Sequence, residues 1–127
     1  MLGTFVLSAG YYDAYYLKAQ KVRSKMIGDF DEAFKKVDAL IAPVSPTGAF
    51  KLGEKASDPL KMYLADIYTA SANLVGIPGL AIPSGFNSLG LPLGFQLMGP
   101  RFSEDTLFAL GKMYQEVTDY KPKLAII

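Results

Sequence analysis

The 127-residue chain has no cysteine and no histidine. Disulfides, thiolate nucleophiles, Cys/His zinc sites and a Ser-His-Asp triad are therefore excluded within it. An excess of one charge is also lacking: 13 basic side chains stand against 12 acidic ones, a net charge of +1. That balance gives no general electrostatic grip on nucleic acid or on an anionic membrane. No uninterrupted apolar run approaches the ~18 residues of a membrane helix. The opening, Met-Leu-Gly-Thr-Phe-Val-Leu-Ser-Ala-Gly, is apolar but short and has no basic residue ahead of it, unlike a secretory signal. A zero cysteine count does not fix the compartment, though a reducing, cytoplasmic setting fits it. Residues 1–127 suit a single domain, large enough to bury roughly two-thirds of the extended-chain surface.

What is present is patterned. Tyr12, Tyr15, Ala19, Val22, Met26, Phe30, Ala33 and Val37 recur in steps of three or four, and Lys18, Lys21, Lys25, Asp29, Glu32 and Lys36 recur likewise on the opposite side. The spacing predicts a long amphipathic helix over about residues 11–37, with Lys25 and Asp29 paired and a bend at Gly28. A buried strand over residues 38–43 follows, closed by Pro43, and then a Pro/Gly loop over residues 44–55. Asp58-Pro59 opens a second helix with a capping residue and proline at the first helical position, and Gly76 ends it. Its expected core stripe is Leu60, Tyr63 or Leu64, Ile67, Ser71 and Leu74.

Residues 73–100 hold 6 of the 12 glycines, 4 of the 8 prolines and no charged side chain. A membrane helix of that composition would be broken repeatedly. Two buried strands over residues 80–84 and 93–98, joined through Gly85-Phe-Asn-Ser-Leu-Gly90, are expected instead, with cover needed on both faces. A last helix starts near Ser103 and turns Leu107, Leu110, Met113 or Tyr114, and Val117 inward. The expected fold class is α/β, in the order helix, strand, helix, strand, strand, helix.

Asp66 is the most informative single residue. It is the last charge before a gap of 34 residues without one, and it lines up with Thr69 and Asn73 on one helix face. A carboxylate beside a hydroxyl and an amide among apolar neighbours suits a cationic ligand group such as an ammonium; an ordinary solvent-facing stripe is the competing reading. Tyr11, Tyr12, Tyr15 and Tyr16 suit either ligand contact or a core or oligomer interface. Lys18, Lys21 and Lys25 share their stripe with acids and read as a solvated face. The glycines of Gly-Leu-Pro-Leu-Gly-Phe-Gln-Leu-Met-Gly do not match a phosphate loop. Ser84-Gly85 is not a nucleophile elbow, and no Ser-x-x-Lys is present. No covalent catalytic unit can be assembled from these residues.

Leu7-Ser-Ala-Gly-Tyr-Tyr-Asp-Ala-Tyr-Tyr16, Ala19-Gln-Lys-Val-Arg23, Ala42-Pro-Val-Ser-Pro46 and Ala49-Phe-Lys-Leu-Gly-Glu54 are specific blocks. So are Asp58-Pro-Leu-Lys-Met-Tyr63, Asn73-Leu-Val-Gly-Ile-Pro78 and Gly90-Leu-Pro-Leu-Gly-Phe-Gln-Leu-Met-Gly99. Together they resemble the amidase signature family, and within it the A subunits of glutamyl-tRNA(Gln)/aspartyl-tRNA(Asn) amidotransferases. The resemblance runs in order along nearly the whole chain and matches the C-terminal part of such a protein.

It implies an α/β fold with a mixed sheet covered by helices, and amide hydrolysis by a Ser-Ser-Lys triad that lies in a Gly/Ser-rich segment absent from this chain. The family's substrate-carboxylate arginine would precede Met1. The family's aspartate that receives the α-amino group of glutamine aligns with Asp66, which the resemblance makes the expected substrate-binding residue. No catalytic or metal-ligating residue is expected here. Implied partners are amidotransferase subunits B and C, with glutamine or asparagine as small-molecule substrate and tRNA held mainly by the partner subunit. The partner would also use ATP and magnesium, and no cofactor would belong to this chain. The tail of another amidase signature hydrolase, and a stand-alone non-catalytic interaction module, are the alternatives.

Overall fold

The structure is a computed structural model, and it describes residues 10, 12–54 and 58–118. Tyr11, expected in the tyrosine cluster, and Lys55, expected at the end of the Pro/Gly loop, lie outside the described residues. A π-helical turn, Tyr12–Tyr16, leads into α1, Leu17–Phe34. The helix runs through Gly28 without a break, and the expected Lys25–Asp29 pair does not form; Glu32 pairs with Lys35 instead. Then come β1, Leu40–Pro43, and two short helices, α2, Pro59–Ala65, and α3, Ile67–Val75. The hairpin strands β2, Gly79–Phe86, and β3, Pro92–Met98, precede α4, Glu104–Thr118.

The α/β class holds, with one correction to the element order: the second helix is two helices, divided at Asp66. Its φ of −101° and ψ of 8° leave the helical region, and its N–H bonds to the Tyr63 carbonyl at 3.2 Å, three residues back. Such tightening ends one helix before the next begins. The capping pair at the start of α2 is as expected. The Lys61 N–H donates to Asp58 Oδ1 at 3.2 Å. That bond, with help from the Lys61 ammonium, holds the Asp58 carboxyl below its ordinary value. Gly76 closes α3 in the left-handed conformation, φ 75°, which glycine adopts without a Cβ penalty.

The described strands form one antiparallel sheet in the order β1-β3-β2. Asn87 shapes the β2–β3 turn, its side-chain oxygen accepting from the N–H groups of Leu89 and Leu91, both at 2.9 Å. A bulge between Pro83 and Gly85 realigns the strands near that turn. Register places Leu80 opposite Leu97 and Ile82 opposite Phe95, so these four share a face. α4 packs there through Leu107, Leu110 and Tyr114, and the Phe95 and Tyr114 rings meet edge-on at 4.8 Å. Gly111 lets the helix come close, since a Cβ there would lie 2.9 Å from Leu80 Cδ2.

On α4 one open alternative is decided and one inward assignment is corrected. Tyr114, not Met113, turns to the sheet, and Val117 is 86% exposed. Among the described residues Val117, near the end of the helix, is not part of the cluster that Leu107, Leu110 and Tyr114 form with the sheet.

On the other face, Gln96 reaches the Tyr68 carbonyl of α3 at 2.8 Å. The stripe expected for the second helix is also corrected: Leu60, Tyr63, Leu64, Ile67 and Leu74 are exposed, while Ala72 and Val75 are buried. The break at Asp66 interrupts the periodicity that a single helix would have carried across.

Among the described residues the outer edges of β1 and β2 are unpaired, and Ile41, Leu60, Tyr63 and Leu89 are exposed. Open edges and apolar surface promote association. In solution, the chain by itself is expected to form dimers or larger species by light scattering; a clean monomer at high concentration would overturn this.

Candidate functional site

The site is built around the α2–α3 junction. Asp66 ends one helix and starts the other, so its carboxylate stands at the N-terminal end of α3, where the helix dipole favours negative charge. Its carbonyl accepts from the N–H groups of Thr69 at 3.1 Å and Ala70 at 3.0 Å. The residue is exposed, and among the described residues its carboxylate has no hydrogen-bond or ion-pair partner. It makes no side-chain cap to the helix. That charge is free for a cation.

Thr69 and Asn73 stand on the stripe the spacing predicts, but their donors turn inward along it. Thr69 Oγ1 donates to the Asp66 carbonyl at 3.3 Å, and Asn73 Nδ2 to the Thr69 carbonyl at 2.9 Å. The polar stripe is therefore a ladder along the helix surface rather than three convergent donors. A groove of about 300 Å³ lies beside the junction, lined by Pro46, Thr47, Lys61, Leu64 and Ala65. It brings the loop after β1 next to the last turn of α2.

Tyr15 of the tyrosine cluster shares a groove with Leu74, near the other end of α3. Tyr12 and Tyr16 stack at 5.1 Å, and Tyr12 and Tyr15 are exposed, so the described members are not core. Lys18, Lys21 and Lys25 are exposed, as a solvated face requires. Among the described residues no group of three or more acidic side chains could hold a metal ion.

Sequence reasoning passed over Gln96, which is 5% exposed. Its amide nitrogen donates to the Pro43 carbonyl at 3.1 Å and to the Tyr68 carbonyl at 2.8 Å. The available signal was one amide inside an otherwise apolar strand, Pro-Leu-Gly-Phe-Gln-Leu-Met. Two arginines hold the far end of α3: Arg23 Nε donates to the Leu74 carbonyl at 2.6 Å and an Arg101 amino group to the Val75 carbonyl at 3.3 Å. Cationic donors satisfy helix-terminal carbonyls and complement the dipole.

Residues 1–108 match the family model described as Amidase. The chain belongs to the amidase family. It is 58% identical over 120 residues to the A subunit of glutamyl-tRNA(Gln) amidotransferase from Microcystis aeruginosa, covering 94% of this chain and 25% of that protein. The solved A subunit of the Thermotoga maritima glutamyl-tRNA(Gln) amidotransferase superposes with a TM-score of 0.81 at 43% identity, covering 96% of this chain and 26% of that one. Allophanate hydrolase from Kluyveromyces lactis superposes with a TM-score of 0.71 at 31% identity, over 91% of this chain and 18% of the hydrolase. This amidase-family chain thus spans about a quarter of the length of the curated relatives it matches. Its family is one of enzymes. Among the described residues no helix is long and apolar enough to cross a membrane.

Proposed function

We propose that the chain forms part of the glutaminase subunit of a cytoplasmic tRNA-dependent amidotransferase and supplies part of its amide-substrate pocket. The complete subunit hydrolyses glutamine, or asparagine, and releases ammonia. A partner B subunit uses that ammonia with ATP and magnesium to convert Glu-tRNA(Gln) to Gln-tRNA(Gln), and a C subunit completes the assembly. The tRNA is held mainly by the partner subunit. The observation that carries this reading is the 58% identity to the A subunit of an amidotransferase, against 31% to a hydrolase of another name. The apolar side chains left uncovered on α2, α3 and β1 are in keeping with a larger fold around them.

Within this reading Asp66 binds the α-ammonium of the amide donor. Support comes from its free carboxylate at the helix junction, which leaves a formal charge for an incoming cation. The test is Asp66→Asn in a complete subunit carrying this sequence, with glutamine-dependent and ammonia-dependent rates measured side by side.

The nucleophile and its base lie outside these residues. The chain alone is therefore expected to release no ammonia from glutamine above buffer. Ammonia release sensitive to serine-directed inhibitors would show that the isolated chain has its own catalytic unit.

A further inference from the structure

Gln96 is the most thoroughly enclosed polar side chain among the described residues, and its position joins three segments. It lies on the central strand, opposite Ala42 on β1 and Ala81 on β2. Two alanines beside it leave a slot over the sheet in which a long side chain can lie. The primary amide has two N–H donors, and both are used: one on Pro43, the last residue of β1, and one on Tyr68, in the first turn of α3. Both neighbours are backbone carbonyls, which only accept, so the amide nitrogen and not the oxygen must face them.

Burying an amide costs free energy that leucine or methionine would not. What the amide provides is a fixed geometry. Tyr68 is two residues beyond Asp66, and Asp66 is tied to the same turn by the Thr69 and Ala70 N–H groups. Holding the Tyr68 carbonyl sets the height and rotation of that turn above β3, and the bond to Pro43 fixes it against the strand leading into the Val44-Ser45-Pro46 loop. We infer that Gln96 is a positioning residue for substrate binding: it locks the first turn of α3 to the sheet so that the Asp66 carboxylate meets the amino group of an amino-acid amide. This rests on the proposed role of Asp66.

The experiment uses the complete subunit carrying this sequence, assembled with its partners, in four forms: unaltered, Asp66→Asn, Gln96→Met and the double variant. Methionine keeps the length and removes both donors. Gln96→Met is expected to raise the KM for glutamine by about ten- to a hundredfold, the effect of a small displacement of a binding group. The ammonia-dependent rate should stay unchanged. The double variant should be no worse in KM than Asp66→Asn alone, because Gln96 acts through Asp66. Lowered thermal stability with an unaltered KM for glutamine would overturn the inference, as would losses in the double variant that multiply.

An unaltered KM in Asp66→Asn would instead overturn the substrate reading itself, whereas a raised KM there beside a normal one in Gln96→Met would overturn only the role of Gln96. Should Gln96→Met not fold, Gln96→Glu decides. A protonated glutamic acid keeps one donor and its carboxylate keeps none, so KM should climb as pH rises through its ionisation. A flat profile would refute the proposal.

Discussion

Asparagine in place of Asp66 is expected to lower glutamine-dependent activity by roughly 30- to several-thousand-fold where the rest of a complete subunit and the bound substrate enclose the residue, the ~2–5 kcal/mol of leaving a desolvated charge without its partner. In this chain Asp66 is exposed. Asn keeps the size and most of the shape of the side chain and removes only the formal charge. The α2–α3 junction should survive the exchange, since Asp66 ties it together through its backbone, accepting from Thr69 and Ala70 and donating to Tyr63. Its carboxylate makes no cap to the helix. Under the proposed function the half-reaction fed with free ammonia takes place on the partner, so it should be largely spared. A plain surface aspartate would behave differently, with stability altered by less than ~0.5 kcal/mol and glutamine kinetics intact. If both rates fell together, Asp66 would be an assembly or folding residue.

The largest effect on stability is expected from Leu107→Ala. Leu107 is 2% exposed and packs against Ile82 and Leu97, the centre of the α4 face of the sheet. Truncating a buried leucine costs about 2–5 kcal/mol, the spread depending on how far the site collapses. Collapse is limited here: α4 is already close to β2 at Gly111, where even a Cβ would meet Leu80. A loss of that size is a large share of the ~5–15 kcal/mol that holds a domain folded. The melting temperature should fall by roughly 10–20 °C. Val117→Ala on the same helix is the control, since an exposed side chain contributes within about ±0.5 kcal/mol. Thermal unfolding followed by circular dichroism separates the two; equal shifts would refute this packing of α4.

Local chemistry made much of the fold legible from sequence. The steps of three and four that set α1, the Asp58-Pro59 start and the Gly76 stop each depend on backbone preferences within a few residues, and each is found in the structure. The β2–β3 turn is found too, but shorter than expected, because Gly85 and Phe86 pair within the sheet. The family resemblance was legible for the same reason, because its blocks are contiguous. Asp66 stood out as a lone charge before a long uncharged stretch. Its proposed role came from the resemblance, since spacing alone left a solvated stripe open.

Which apolar residues are buried was decided only by the tertiary structure. Leu60, Ile67 and Leu74 have the hydrophobicity for a core stripe and remain exposed, while Ala72 and Val75 are inside. Periodicity tells which residues share a face but not what stands opposite it, and the break at Asp66 ends that periodicity midway. Val117 continues the regular pattern of α4 and is exposed all the same. Gln96 is the plainest case. An amide in a strand has no local partner to announce it, and its two acceptors lie 53 and 28 residues away along the chain. Only folding brings Pro43 and Tyr68 to its two N–H groups, and an amide buried without them would carry its full desolvation cost.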